Sequence, residues 1–410
     1  LRRQRQMCIR DSPNLVLVVN SGSSSLKFAI QDVTNPVPLL SGIAERLGGE
    51  GPIITFKYNG QKTTTPLAAN DHGTALDALL AELSKVGLLD SVIAVGHRVV
   101  QGGKITSAKL VTKEVVDYIE EVSPLAPLQN PPAVLGMRVA MQRLSKIPHV
   151  VVVDTAFHMT MKPEAYIYGL PYEYYEKQQI RRYGAHGSSH RYVSQEAIRT
   201  LHLDPHDSGV VVLHLGSGSS ASAVLNGECQ DTSMGLTPLE GLVMGTRTGD
   251  LDPSIVLRIM RTEGLDVDQM STLLNKKSGL LGLSGISADC REIETAAKEG
   301  NARAQLALDV FAHRVARYVG ALSASLKRLD ALVFTGGIGE NSVTLRAMIM
   351  ERVGVFGLKM DPALNAQMIR GKSGLISPAG VKPLVAVIPT NEELVIARDT
   401  LEIARSLKKA

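Results

Sequence analysis

The chain has 410 residues, of which 44% are hydrophobic and 20% charged, as is typical of a soluble globular protein with two or three domains. The net charge of +4 comes from 44 basic and 40 acidic residues, and four arginines against Asp11 put +3 of it in residues 1–12. The body is thus nearly neutral, which gives no argument for nucleic-acid binding. No apolar run approaches the ~18 residues that cross a membrane. Cys8, Cys229 and Cys290 fit no metal or redox spacing, which favours free thiols in the cytoplasm.

Residues 1–13 differ from the rest of the chain. They hold four arginines and lack the apolar segment of a secretory signal peptide. We expect a disordered tail or an expression remnant here, with Met7 near the true start. The folded chain is therefore expected to begin at residue 14.

The first predicted element is a hairpin over residues 15–30. Residues 15–19 are all Val or Leu, as in a strand that is buried on both faces. The small residues 20–25 then allow a sharp turn and a close approach to a ligand. With Lys27 shortly beyond, such a turn can cradle a polyphosphate, although a hairpin without a ligand fits the same pattern.

The following segment mixes sheet and helix signals. Residues 39–58 alternate polar and apolar, residues 73–89 repeat leucine with a helical period, and residues 92–95 predict a short strand that ends before Arg98. Residues 123–132 contain four prolines and are expected to be neither helix nor central strand. A buried strand is predicted at 149–153, and Asp154 follows it at its carboxyl end, where α/β proteins usually bind ligands.

Residues 181–191 concentrate arginines and histidines around glycines, just before a predicted helix at 192–201. His186 and His190 have the i, i+4 spacing of metal ligands. Gly187 intervenes and no third ligand is near, which disfavours zinc. A histidine flanked by glycines is better suited to hydrogen-bonding an anion.

A second hairpin is predicted at residues 210–225, which overlay residues 14–29 at a constant offset of 196. The overlay places the turn Ser217–Ser220 on Ser21–Ser24. Two copies of the same hairpin motif predict an internal duplication into two related α/β domains that share a cleft. Gly216 and Gly218 loosely match a dinucleotide fingerprint, but that motif must open a helix, and an Asn-Gly turn at 226–227 indicates a hairpin instead.

Caps and periodicity predict the elements after residue 230. Residues 231–254 form a long loop that ends with Asp252 as the N-cap of a helix, which leaves Arg247 as the chemically suggestive residue of the loop. Another helix begins within 287–291. An amphipathic helix over about 302–327 is expected to bury Leu306, Val310, Val315, Val319 and Leu322.

Two further sequence patterns occur near the end of the chain. Residues 332–341 run from strand through glycines into a helix, an arrangement that suits a phosphate or a nucleoside. After a strand at 385–388, Thr390 and Glu393 have capping-box spacing, which gives Glu393 a structural role. Glu392 has no such role and is the better functional candidate.

Taken together, six segments resemble the motifs of the acetokinase (acetate kinase) family: residues 20–28, 96–100, 154–158, 183–190, 244–247 and 337–341. The resemblance extends from about residue 15 to 405. It implies an α/β fold of two duplicated actin-like ATPase (ribonuclease H-like) domains with a nucleotide cleft between them. Domain I would comprise residues 14–154 and about 389–410, and domain II residues 155–388.

The same resemblance implies an activity. The γ-phosphoryl group of ATP would pass reversibly to acetate by direct in-line transfer, giving acetyl phosphate and ADP. Mg²⁺ would be the cofactor, with Mn²⁺ as an alternative. The protein would be a cytoplasmic homodimer, with no nucleic-acid or membrane partner.

Site residues are carried over by motif. The catalytic residues would be Asp154, His186, Arg247 and Arg98. Arg98 would also bind the substrate, beside an acyl pocket lined by Val100, Leu128, Ala185 and Pro238. The metal ligands would be Asn20 and Glu392. The nucleotide would contact Lys27, His214, Leu215, Gly216, Ser217, Gly218, Asp289, Cys290, Arg291, Gly337, Ile338, Gly339, Glu340 and Asn341.

Four positions depart from the family pattern. Gln101 and Gln129 stand where the family usually has histidine, so hydrogen bonding is kept and titration is lost. Ser217 replaces the usual Asn. Ala185 stands where many members have Phe, which would leave more room beside the acyl group.

Two other functions are considered. The close alternative is a propionate or butyrate kinase of the same family. The remote alternative is a non-metabolic actin-like or chaperone-like ATPase, which would leave Arg98, His186 and Arg247 unexplained.

Overall fold

The computed structural model describes residues 14–409, and the expectations for residues 1–13, Cys8 included, lie outside this range. The described chain divides into two compact units. Unit 1 comprises residues 14–156 and 391–409, and unit 2 comprises residues 157–390. The predicted domain boundaries, after residues 154 and 388, lie two residues before each of these divisions.

Unit 1 is built on one mixed sheet of eight strands in the order β5-β4-β3-β2-β1-β6-β8-β7. Strand β1 pairs antiparallel with β2 and parallel with β6, and β6 pairs parallel with β8. The strands are β1 (Leu15–Ser21), β2 (Ser25–Asp32), β3 (Leu40–Glu45), β4 (Ile53–Tyr58), β5 (Gln61–Pro66), β6 (Val92–Val99), β7 (Lys109–Leu110) and β8 (His149–Val153).

Helices cover both faces of this sheet because β1 is apolar on both. Leu15, Leu17 and Val19 pack in one cluster with helix α1 (His72–Lys85) and the end of α3 (Asn130–Arg143), whereas Val16 and Val18 pack with α15 (Glu392–Leu407). The approach of α15 is close, since a Cβ on Gly96 would lie 2.4 Å from Thr400 Oγ1. The helices of unit 1 are α1 (His72–Lys85), α2 (Lys113–Glu121), α3 (Asn130–Arg143) and, at the end of the chain, α15 (Glu392–Leu407).

Unit 2 is built on a six-stranded sheet in the order β11-β10-β9-β12-β14-β13. Its strands are β9 (Gly209–Leu215), β10 (Ser219–Leu225), β11 (Glu228–Thr232), β12 (Ala331–Thr335), β13 (Gly374–Leu375) and β14 (Leu384–Val387). In β11-β10-β9-β12-β14 the first three strands are antiparallel and the last two run parallel to β9. The order β3-β2-β1-β6-β8 of unit 1 has the same directions. This repeat confirms the predicted α/β duplication.

The main helix of unit 2 is a long one, α11, whose buried face contacts the sheet and its neighbouring helices. The helices are α4 (Pro163–Tyr166), α5 (Glu173–Gln178), α6 (Gly187–Thr200), α7 (Pro253–Glu263), α8 (Val267–Lys276), α9 (Gly279–Ser284), α10 (Cys290–Lys298), α11 (Ala302–Ser323), α12 (Gly336–Asn341), α13 (Val343–Met350) and α14 (Pro362–Gln367). Within residues 14–409, no helix combines the length and the apolar character needed to cross a membrane.

The proline-rich segment was wrongly predicted to contain no helix. Residues 123–125 form a short 3₁₀ turn, and α3 begins at Asn130 with prolines in its first turn. A proline is tolerated there because its missing N–H would be unpaired in any case. Asn130 is fully buried, accepts from Gln101 N at 3.1 Å and donates from Nδ2 to Gln101 O at 2.8 Å. The start of α3 is thereby fixed to the chain just after β6.

Two element predictions need correction: the end of one strand, and the end and the buried residues of one helix. Strand β6 runs to Val99 rather than to residue 95, because parallel pairing with β8 continues as far as Val99 opposite Val153. The long helix ends at Ser323, and Leu306 is 55% exposed. Alanines such as Ala304 and Ala307 occupy the buried stripe instead, and these small residues gave little signal in the sequence.

The two hairpins correspond, but not at the predicted offset. The turn between β1 and β2 spans residues 22–24 and that between β9 and β10 spans 216–218, an offset of 194 rather than 196. Ser219 and Ser220 therefore belong to strand β10, not to the turn. The second turn consists of Gly216, Ser217 and Gly218.

Candidate functional site

In unit 1, Arg98 and Asp154 form a bidentate ion pair. Arg98 lies near the carboxyl end of β6, and Asp154 follows the adjacent parallel strand β8 directly. Arg98 Nε donates to Asp154 Oδ1 at 3.1 Å and Nη2 donates to Oδ2 at 2.7 Å. Asp154 is 1% exposed, whereas the Arg98 side chain keeps 24% of its surface exposed. The neighbouring Asp154 carboxylate raises the pKa of Arg98, so this guanidinium is a fixed cation with an open side.

Glu392 extends this charge group at the start of α15. Its Oε2 lies 3.9 Å from Arg98 Nε. Burial raises the pKa of the Glu392 carboxyl, and the charge of Arg98 opposes that shift. At this distance from Arg98, Glu392 keeps carboxylate oxygens that can bind a further cation.

The predicted capping box at the start of α15 is wrong. The N-cap is Asn391, whose Oδ1 accepts from Leu394 N at 3.2 Å. The Thr390 hydroxyl instead lies 2.7 Å from Ser189 Oγ. Because the helix begins one residue later than predicted, its third residue is Leu394, which cannot complete a capping box. Glu393 is exposed and lines a cavity of about 570 Å³ with Asn20 and Lys27.

The predicted metal ligands of unit 1 suit Mg²⁺ in chemistry. Asn20 offers an amide oxygen at the end of β1, and Glu392 offers carboxylate oxygens. Hard cations such as Mg²⁺ prefer oxygen ligands, and Mg²⁺ in phosphate-transfer sites takes one or two from the protein. The residues present therefore fit this cation.

In unit 2, His186 has a strained backbone and an ordered side chain. It precedes α6 with φ 55°, a left-handed conformation that costs a non-glycine residue about 1–3 kcal/mol. Its Nδ1 lies 2.8 Å from Ser220 Oγ, and its ring stacks on that of His214 with centroids 4.3 Å apart. The two contacts hold the imidazole in one orientation.

Arg247 is a partly buried cation beside the turn of the second hairpin. Its Nη1 donates to Pro238 O at 3.0 Å. Burial lowers the pKa of Arg247, and within residues 14–409 no carboxylate forms an ion pair with it. A Cβ on Gly218 would lie 3.4 Å from His186 Nε2 and 3.6 Å from Arg247 Nη2. The turn, the imidazole and the guanidinium thus surround one small space that can hold an anion.

A cavity of about 640 Å³ lies in unit 2 where the second hairpin turn, α10 and α12 meet. The predicted nucleotide residues that line it are Ser217, Asp289, Cys290, Arg291, Gly337, Ile338 and Asn341. Asp289 is also the N-cap of α10, and its Oδ2 accepts from Arg291 Nη2 at 2.6 Å. This cavity brings together three segments that are far apart in the sequence.

The other nucleotide candidates lie outside the lining of this cavity. His214 Nδ1 is 2.7 Å from Ser189 Oγ, Gly339 O accepts from Arg346 Nη1 at 2.9 Å, and Glu340 accepts weakly from Thr390 N. The remaining candidates are Leu215, Gly216 and Gly218 around the second hairpin turn, and Lys27 of unit 1 on β2. Their nucleotide roles stay predictions.

Sequence reasoning missed three residues of the unit 2 cavity: Ala288, Glu294 and Ser342. The Ser342 hydroxyl donates to Glu294 Oε1, and Cys290 Sγ lies 3.4 Å from the same oxygen. Glu294 is four residues after Cys290 on α10, a spacing that puts the two on one helix face and could have identified it.

The four acyl-pocket candidates divide between the units. In unit 1, Val100 follows β6 and Leu128 is 58% exposed. In unit 2, Ala185 is buried in a small cluster with Met234 and Met244, and Pro238 binds Arg247 through its carbonyl.

The structure shows the surroundings of two of the positions that depart from the family pattern. Gln101 is buried, and its Oε1 accepts from Gly103 N at 2.8 Å, so this side chain shapes the loop after β6. Gln129 precedes α3 without a side-chain cap bond.

Comparisons with known proteins agree along the length of the chain. A model of the acetokinase family matches residues 15–398. An acetate kinase of Chromobacterium violaceum is 50% identical over 390 residues, covering 95% of this chain and 98% of that protein. Solved structures of an acetate kinase from Porphyromonas gingivalis (TM-score 0.91, 42% identity) and a propionate kinase from Francisella tularensis (TM-score 0.90, 40% identity) each cover 95% of this chain and 99% of their own. The chain belongs to the acetokinase family.

Proposed function

We propose that the protein is an acetate kinase, which transfers the γ-phosphoryl group of ATP to acetate reversibly and by direct in-line transfer. The observation that carries the proposal is the partly buried Arg247 guanidinium, which lies beside His186 and Gly218 without a carboxylate partner in the described chain. A partly desolvated cation of this kind is stabilised by a bound anion. Membership of the acetokinase family makes a phosphoryl group the anion that fits best.

Each charged group then has a role in the transfer. Arg98, held by Asp154, binds the carboxylate of acetate with its exposed edge. Arg247 and His186 donate to oxygens of the transferring phosphoryl group, whose charge is spread over three oxygens in the transition state. Asp154 keeps Arg98 oriented and, by the family resemblance, is the catalytic acidic residue.

The cofactor and nucleotide assignments follow the chemistry of the donors. Asn20 and Glu392 hold Mg²⁺ (or Mn²⁺), which neutralises phosphate charge when bound. The nucleotide occupies the unit 2 cavity beside Ser217, Asp289–Arg291 and Gly337–Asn341. Lys27 and His214–Gly218 belong to the same proposal.

A propionate kinase is the second candidate. Ala185 is small and shares its buried hydrophobic cluster with Met234 and Met244, and methionine side chains adapt readily to a larger ligand. One of the matching structures, at 40% identity, is a propionate kinase. We propose measurable use of propionate below that of acetate.

The acyl preference is tested by trapping acyl phosphate as the hydroxamate, with ATP and acetate, propionate or butyrate in parallel. We expect the rate to fall in that order, since each methylene that does not fit costs more than the ~0.8 kcal/mol that burying one gains. An Ala185→Phe variant should reduce propionate use more than acetate use. Faster propionate turnover in the native protein would make it a propionate kinase, and an unchanged ratio in the variant would remove Ala185 from the pocket.

We further propose a homodimer in the cytoplasm. Helix α7 supports self-association, because none of its residues is buried and Ile255 and Leu257 are 44% and 62% exposed. Light scattering should give twice the chain mass of 44.0 kDa. A monomer at micromolar concentration would refute this assembly.

A further inference from the structure

Two serines that follow the turn of the second hairpin hydrogen-bond to histidines. Ser220 and Ser222 lie on β10, His190 lies in the first turn of α6, and all three are 0% exposed. Ser222 Oγ is 2.6 Å from His190 Nδ1, and His190 Nε2 is 2.7 Å from Ser220 Oγ. Ser220 Oγ is in turn 2.8 Å from His186 Nδ1. These four side chains form one continuous series of hydrogen bonds, the Ser–His chain, that ends at His186.

The buried end of the Ser–His chain determines which atom donates the proton in each of its hydrogen bonds. Within residues 14–409, His190 is the hydrogen-bond partner of the Ser222 hydroxyl. If His190 donated from Nδ1, the Ser222 proton would be buried without an acceptor, at a cost of about 1–3 kcal/mol. Ser222 therefore donates to His190 Nδ1.

The remaining protons follow in order. Burial lowers the pKa of His190 well below its usual value, so its ring is neutral and carries one proton. With Nδ1 accepting, that proton is on Nε2 and is donated to Ser220 Oγ. Ser220 then donates its own proton to His186 Nδ1, which leaves Nε2 as the protonated nitrogen of a neutral His186 ring.

The Nε2 edge of His186 faces the proposed phosphoryl position. A Cβ on Gly218 would lie 3.4 Å from this nitrogen and 3.6 Å from Arg247 Nη2. A proton on Nε2 can therefore be donated to an anion in that space. A proton on Nδ1 would leave a lone pair facing the anion and repel it.

We propose that Ser222, His190 and Ser220 are positioning residues that hold His186 in its Nε2–H tautomer, ready to donate to a phosphoryl oxygen as a neutral imidazole. The inference rests on the proposed phosphoryl transfer for its function. The tautomer itself is a property of unit 2 alone and is tested separately.

The first test measures the tautomer directly. Two-bond ¹H–¹⁵N correlation spectra of protein labelled at histidine distinguish Nε2–H from Nδ1–H, and His186→Gln assigns the signal by its loss. We expect Nε2–H for His186 in the native protein at neutral pH. A Nδ1–H or charged ring would overturn the inference even if acetate kinase activity is found, whereas the expected tautomer in an inactive protein would refute only the proposed function.

The second test breaks the Ser–His chain. Ser220→Ala should remove the preference for Nε2–H and lower kcat by about 10- to 100-fold, the range found when the hydrogen-bond partner of a metal-bound histidine is removed. KM for acetate should stay within about twofold, because ground-state binding is unchanged. Ser220→Thr keeps the hydroxyl and should restore both the tautomer and a large part of kcat.

The matched control is Ser194→Ala. Ser194 is another fully buried serine on α6, and its hydroxyl donates to Arg191 O at 3.1 Å, outside the Ser–His chain. This variant should keep the native kcat and the native His186 spectrum. If Ser220→Ala behaves like Ser194→Ala, the inference is wrong.

Discussion

At the scale of single residues, Arg247 and Arg98 differ in what balances their charge. Arg247 is partly buried and has the Pro238 carbonyl as its partner, whereas Arg98 is paired with the buried Asp154. Arg247→Ala should therefore lower kcat by about 100- to 1,000-fold while the fold is kept, since one lost contact to transition-state charge has that effect. Steady-state kinetics and thermal unfolding check this, and near-native turnover in a folded Arg247→Ala protein would reject the assignment.

Arg98→Ala should show a different pattern. It would leave Asp154 buried and unpaired at 1% exposure, which costs about 3–5 kcal/mol when one partner of a buried pair is removed. We expect loss of both turnover and stability, and the unfolding free energy in urea measures the second. Native stability would mean that water replaces the guanidinium at Asp154.

The buried histidines of unit 1 predict how stability depends on pH. Burial first, and the neighbouring His149 second, lower the pKa of His97 to about 3, and burial lowers that of His149. Because both folded-state pKa values lie below the unfolded value of about 6.5, the unfolded chain takes up more protons. Stability is thus fully present above pH 6.5 and is lost as pH falls below it. His97 alone contributes a slope that approaches about 1.4 kcal/mol per pH unit between its unfolded and folded pKa values, and His149 adds to the loss in the same direction.

Urea unfolding at pH 7, 6 and 5 measures this loss. His97→Gln keeps a hydrogen-bonding side chain opposite His149 but cannot take up a proton. The slope of the unfolding free energy against pH should therefore be reduced by the contribution of about one proton. The same slope in both proteins would show that His97 is not responsible.

At the scale of elements, α15 tests the corrected cap. Asn391→Ala should cost about 1 kcal/mol of unfolding free energy, because Asn391 Oδ1 accepts from Leu394 N and Nδ2 donates to Pro36 O at 2.8 Å. Glu393→Ala should leave stability nearly unchanged, because Glu393 is exposed and caps nothing in the described chain. Urea unfolding of both variants decides the matter, and a larger loss for Glu393→Ala would restore the original prediction.

Most elements could be predicted because their signals are local. Both hairpins follow from Val-rich runs broken by Gly and Ser, and β12 with α12 follows from a strand that meets glycines. The start of α3 was missed because prolines break a helix interior but suit a first turn, and the two cases look alike in sequence.

The candidate site was predicted residue by residue but not as an arrangement. Arg98 and Asp154 were each singled out, yet their pairing depends on β6 lying beside β8, which only the sheet shows. Ser220 was assigned to a phosphate-binding turn, since a shift of two residues in a Ser-rich hairpin cannot be read from composition.

At the scale of the whole molecule, one five-stranded core occurs twice and carries different chemistry each time. In unit 1 the ends of β6 and β8 carry the ion pair of Arg98 and Asp154. In unit 2 the corresponding edge carries the turn at Gly218 and the cavity of about 640 Å³. The duplication supplies the scaffold, and the side chains that differ between the copies supply the proposed reaction.

The most direct test of phosphoryl transfer to acetate is a ³¹P NMR time course of the protein with ATP, Mg²⁺ and acetate. We predict that acetyl phosphate and ADP appear in equal amounts, that both are consumed when the reaction is started from acetyl phosphate and ADP, and that Arg247→Ala slows both directions. Release of inorganic phosphate from ATP, without acetyl phosphate and independent of acetate, would contradict the account and indicate an actin-like ATPase instead.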